Sequence, residues 1–147
     1  MPHWAKTYIA AFFFVLLGAS TAPAEQPEGI AWQGDLGEAW AEAQRLQRPI
    51  LLYFTSDHCG YCQKMHGETF ADQRVVESIN AEFIPVVIDA QAGAKLQNDF
   101  RVRAFPTTFL IGPDATILDR IEGYVPPAKF RTRIAAAMET ARDTVVR

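Results

Sequence analysis

Residues 50–62 read ILLYFTSDHCGYC, and the join inside this stretch decides the fold. ILLYFTS is a continuous apolar run of strand length, the pattern of a strand covered on both faces. Two cysteines separated by two residues follow directly, and they are the only 2 in the chain. From Gly60 onward, YCQKMHGETF has helical character, with a break expected near Gly67. The cysteine pair therefore sits where a buried strand passes into a helix.

Four kinds of chemistry use such a pair. Haem attachment needs a histidine directly after the second cysteine, and residue 63 is glutamine. A structural zinc site needs four ligands, usually from two separated clips. Here one clip has only His58 and His66 nearby, all on a single loop and helix turn. A stapling disulfide works mainly by closing a long loop in the unfolded chain, and Cys59 and Cys62 close almost none. A redox-active pair fits each requirement. Residues three apart at a helix start lie about 5–6 Å from each other, within reach of a disulfide. The first cysteine meets the free N–H groups and the positive end of the helix dipole, which stabilise a thiolate. Cys59 is then the attacking nucleophile. Cys62, one turn inside, is the resolving thiol that releases a mixed disulfide.

Working outward, LGEAWAEAQRLQRP places Leu36, Ala39, Trp40, Ala43 and Leu46 on one helical stripe, ended by Pro49. Trp32 and Trp40 are expected as core or edge residues of this first helix. DQRVVESINAEF starts a helix capped by Asp72, FIPVVIDA is a second buried strand, and AKLQNDF a short helix. A loop then leads to a strand from Thr107 to Ile111, a Gly112-Pro113-Asp114 turn and a partner strand from Thr116 to Glu122. The closing helix carries Pro127 in its first turn. The expected order is α-β-α-α-β-α-β-β-α, with no repeat and no second domain.

The chain has 147 residues and a formal charge of −3, with both signs scattered along it. Nothing forms the clustered basic face that a nucleic-acid partner would need. The first 24 residues read separately, as a secretory signal peptide: Lys6, an apolar run from Ile9 to Ala19, and small residues at Ala22-Pro23-Ala24. That run of 11 residues is short of the roughly 20 a spanning helix needs. Residues 25–147 are then one domain, periplasmic or otherwise secreted, touching the membrane only through its leader. Outside the cytosol, thiols oxidise, which suits a cycling pair.

At this point the sequence resembles the thioredoxin-like thiol:disulfide oxidoreductases. The resemblance runs from about Ala39 to Ala137 and rests on ILLYFTS entering CGYC, on Phe105-Pro106-Thr107, and on Glu122-Gly123-Tyr124 before the last helix. It implies an α/β thioredoxin fold, a central mixed β-sheet flanked by helices on both faces. It also implies that Pro106 is a cis-proline beside the cysteines, and that the backbone at Phe105, with Thr107 next to it, pairs with an extended substrate segment. Plain core packing is an equal reading of the Phe105 ring.

This chain also departs from the family's pattern. His58 stands where thioredoxins place tryptophan, and a charged histidine there would favour the Cys59 thiolate. Tyr53 holds the place of a buried aspartate that assists the resolving cysteine, and Pro85 the place of its lysine partner. Glu68 and Asp57 are nearby acids, each also explained as a solvated surface residue. His66 and Met65 read as packing or surface residues, and Tyr124-Val125-Pro126 as groove lining or a structural turn. Gly60 and Tyr61, the dipeptide that tunes such pairs, are the two found in periplasmic disulfide isomerases, whose dimerisation domain this chain has no room for. The sequence therefore points to an exported oxidoreductase that reduces protein or peptide disulfides. It needs no metal or cofactor, and draws electrons from a membrane-linked donor. An oxidase or isomerase remains open, as does a binding module of the same fold whose cysteines are inert or carry metal for delivery.

Overall fold

The computed structural model describes residues 28–145, so the expected leader at residues 1–24 lies outside the described residues. The elements are α1 (Leu36–Leu46), β1 (Ile50–Thr55), α2 (Gly60–Lys64), a π-helical turn (Met65–Thr69), α3 (Gln73–Glu82), β2 (Ile84–Asp89), α4 (Ala94–Asp99), β3 (Thr107–Ile111), β4 (Ile117–Glu122) and α5 (Pro127–Val145). The four strands lie in the order β2-β1-β3-β4. β1 runs parallel to β2 and antiparallel to β3, and β4 is antiparallel to β3, so the sheet is mixed. This is the thioredoxin fold.

β1 is buried along nearly its whole length because helices cover both faces of the sheet. Its side chains alternate, as the pleat requires. Leu51 and Tyr53 enter one core with Met65, Phe70, Val75, Ile79, Phe130 and Ile134. Ile50, Leu52 and Phe54 enter the other with Ala39, Ala43, Val86, Ile88 and Phe109. Each fully buried side chain of this size stabilises the fold by about 1.5–3 kcal/mol. β2 is an edge strand, but its outer side is bridged: Gln33 N–H donates to Pro85 C=O and Val87 N–H to Gln33 C=O, both at 2.9 Å. Pro85 has no amide hydrogen, and this edge position in the ladder tolerates it.

Three local expectations change. First, α1 stops at Leu46, ahead of Pro49, because Gln47 turns left-handed (φ 51°) and returns its N–H to Ala43 C=O. Second, the helix does not break at Gly67. It widens into the π turn, where Phe70 N–H reaches Met65 C=O at 2.9 Å. Third, Trp32 precedes α1, and its ring packs on Tyr53 and Phe70 with centroids 5.7 and 5.2 Å away. Trp40 does lie on α1, against the opposite core. Asp72 caps α3 as its sequence signals, accepting from Val75 N–H at 3.0 Å.

Candidate active site

The site forms at the C-terminal end of β1. Ser56 to His58 turn the chain out of the sheet, with Cys59 N–H donating to Ser56 C=O at 3.3 Å. Cys59 keeps extended backbone angles and caps α2, and its sulfur accepts the Cys62 N–H at 3.1 Å. Cys59 and Cys62 are joined as a disulfide, with Cα atoms 5.2 Å apart. Cys59 is half-buried while Cys62 is 1% exposed, so Cys59 is the more accessible of the two. A backbone amide aimed at a cysteine sulfur is a donor of the kind that stabilises a thiolate.

His58 and Gly60 are exposed, and Tyr61 stands 65% exposed between the cysteines. Asp57 is likewise on the surface. The Phe105–Pro106 bond is cis. Pairing of Thr107 with Phe54 brings this loop to the same end of β1 as the cysteines. Pro106 and Thr107 are buried, and the Thr107 hydroxyl donates to Ala104 C=O at 2.8 Å. The Phe105 ring packs against the core that holds Phe54. Its backbone N–H and C=O make no hydrogen bond among the described residues.

Beneath the active-site helix lies an aromatic cluster. Tyr53 meets His66 and Phe70 edge-on, at 5.3 and 4.9 Å between centroids. Its hydroxyl is fully buried and has no hydrogen-bond partner among the described residues. Burial pushes Tyr53 up to about 12, opposed weakly by the nearby Thr55 hydroxyl, which lies outside hydrogen-bonding geometry. Met65 is buried. His66 is exposed, yet the burial of part of its ring holds its pKa below the ordinary histidine value.

Sequence reasoning missed one set of contacts, between the π turn and the segment after β4. Glu68 is not simply solvated: its carboxylate accepts the Tyr124 hydroxyl. Lys64 places its ammonium 4.5 Å over the Tyr124 ring. Buried Thr69 donates to Val125 C=O at 2.6 Å. The only signal in the sequence was the Gly-Tyr step before the last helix, which says nothing of its partners.

Among the described residues no three His, Cys, Asp or Glu side chains converge to hold a metal ion. An apolar cleft of about 860 Å³ lies on the other face between α1 and α4, lined by Trp40, Ile88, Leu96 and Phe100. It is not lined by either cysteine.

Residues 36–138 match the family profile described as a thioredoxin-like domain. Thioredoxin Y, chloroplastic, of Oryza sativa subsp. japonica is 28% identical over 99 residues, covering 67% of this chain and 56% of that protein. Thioredoxin Y2, chloroplastic, of Arabidopsis thaliana is 29% identical over 96 residues, covering 65% of this chain and 55% of its own. This chain thus spans about half the length of these curated relatives. Among solved structures, a thioredoxin from Thermus thermophilus superposes with a TM-score of 0.71 at 28% identity, over 77% of this chain and 90% of that one. A structure titled DsbH oxidoreductase shares the fold, with a TM-score of 0.64 at 20% identity over 83% and 95% of the two chains.

Proposed function

This chain belongs to the thioredoxin-like family, and on that premise we propose that it is an exported thiol:disulfide oxidoreductase that reduces disulfides of other proteins. One observation carries the reading: a half-buried Cys59 at a helix start, with Cys62 N–H on its sulfur and Cys62 itself buried behind it. In the reduced chain the Cys59 thiolate attacks one sulfur of a substrate disulfide. A mixed disulfide forms, and the other substrate sulfur leaves as a thiolate and takes up a proton. Cys62 then loses its proton and attacks the Cys59 sulfur. The internal disulfide closes and the second substrate thiol departs. Two electrons have passed to the substrate. An external dithiol, itself fed from the membrane, restores the reduced pair.

In this reading His58 favours the Cys59 thiolate, and Gly60 and Tyr61 set the pair's potential. Pro106 and Thr107 shape the docking loop, and the unpaired Phe105 backbone binds an extended substrate segment. The leader is cut after Ala24, so N-terminal sequencing of the exported protein should begin at Glu25; an intact Met1 outside the cytosol would refute cleavage. The first experiment on the chemistry is equilibration in glutathione buffers. Thioredoxin has a potential of about −270 mV, a protein disulfide isomerase about −180 mV and a strong periplasmic oxidant about −120 mV. We expect a value near the first, together with insulin reduction that Cys59→Ser abolishes. A value near the other two would reverse the direction of flow, as the Gly60-Tyr61 dipeptide of isomerases would have it.

A further inference from the structure

The segment after β4 touches both halves of the site. Gly123, in the left-handed region (φ 79°), turns its N–H onto Pro106 C=O at 2.8 Å. Its neighbour Tyr124 reaches the opposite way, to Glu68 and Lys64, and Val125 C=O takes the Thr69 hydroxyl. Lys64 is two residues beyond Cys62, in the same short helix. Three consecutive residues thus join the cis-proline loop to the helix that carries the thiols. The π turn falls where this bridge lands. One extra residue in the helical winding rotates everything that follows, and π turns of this kind gather at functional sites. Here the winding presents Glu68 and Thr69 together to one strip of backbone, one at the surface and one buried.

We propose that Tyr124 is a positioning residue for protein substrates: its hydroxyl, bound by Glu68, and its ring, under Lys64, hold the active-site helix at a fixed distance from the Pro106 loop. This rests on the oxidoreductase reading above. The bridge sets the width of the groove between the Cys59 loop and Phe105, in which an extended peptide has to lie to bring its disulfide to Cys59. A small disulfide reaches the half-buried sulfur without lying along the groove. Tyr124 itself moves no electron or proton. Tyr61, Lys64 and Glu68 follow at three- and four-residue spacing on one helix face, so Tyr124 closes a strip that begins at the dithiol.

The test compares insulin with a small aromatic disulfide for the parent chain, Tyr124→Phe, Glu68→Ala, Glu68→Gln and the double variant Tyr124→Phe/Glu68→Ala. Loss of one charge-assisted hydrogen bond should raise the KM for insulin about threefold to tenfold, with kcat changing far less. The loss in kcat/KM should be several times greater for insulin than for the small disulfide. Glu68→Gln, which keeps an acceptor, should recover most of the effect. The double variant should be no worse than Tyr124→Phe alone, since both remove one contact. Equal losses on both substrates, a change in kcat alone, or additive losses would each overturn the positioning role. A parent chain that turns over neither substrate would instead sink the oxidoreductase reading, leaving the two failures distinguishable.

Discussion

On one face of β1, Ile50, Leu52 and Phe54 meet Ala39, Ala43, Val86, Ile88 and Phe109. On the other face, Leu51 and Tyr53 meet Met65, Phe70 and Phe130, and that side also holds a π turn and a phenol hydroxyl without a partner among the described residues. The same six-residue strand supplies both. What differs is the covering: α1 and α4 on the first side, and on the second α3 and α5 together with the short helix bearing the cysteine pair and its π turn. The irregular groups lie beneath the thiols, while the regular core anchors the strand from behind.

The largest expected effect tests the regular side. Phe54→Ala removes a fully buried ring packed on Phe100 and Phe109, and should cost about 3–5 kcal/mol in urea unfolding. A loss under about 1 kcal/mol would mean that this core collapses easily and that the contrast between the faces is false.

The next effect reads the irregular side through pH. Burial holds Tyr53 at about 12 against an ordinary 10.0, so above pH 10 the unfolded chain ionises there while the folded chain stays neutral. Stability tied to the neutral ring is whole below pH 10 and is lost as pH rises through 12, about 2–3 kcal/mol in all. The difference between parent and Tyr53→Phe should show that arm. At neutral pH the variant should be more stable than the parent by on the order of 1 kcal/mol, since it removes a buried unpaired hydroxyl. A destabilised Tyr53→Phe would show that the hydroxyl is bound by something in solution, and the comparison would need redrawing.

The smallest effect should be equal on the two sides. Asp35 caps α1 by accepting Glu38 N–H at 2.9 Å, and Asp72 caps α3 by accepting Val75 N–H at 3.0 Å. Changing either to alanine should cost about 1 kcal/mol by thermal or urea unfolding. A marked inequality would place the difference between the faces in their helices rather than in their cores.

Much of this molecule is legible in its letters. Local signals fix what local physics decides: the ILLYFTS run, the cap at Asp72, and the strand Thr107–Ile111, whose observed bounds match those expected. The misreadings arise where partners distant in sequence decide. Gly67 has the composition of a helix break, yet Thr69 is bound to a carbonyl 56 residues away and the helix is carried through. Trp32 reads as part of the first helix because tryptophan is apolar, but Gln33 is bound to β2 and carries Trp32 to the other face. The pairing of Cys59 with Cys62 is readable from their spacing. The Tyr124–Glu68 contact is not, because no pattern within either segment names the other.

Both sulfurs of cysteine in this chain sit within one helical turn, and the sequence holds only 2 cysteines. Its oxidation state is therefore a whole number that a mass spectrometer can count. Trapped with an alkylating reagent, a molecule carries two tags when reduced and none when oxidised. A single tag marks a molecule whose second sulfur is held by another molecule's sulfur or has been oxidised further, and the added mass tells the two apart. No other thiol exists to scramble that count, so one spectrum of the working mixture separates donor, acceptor and covalent intermediate.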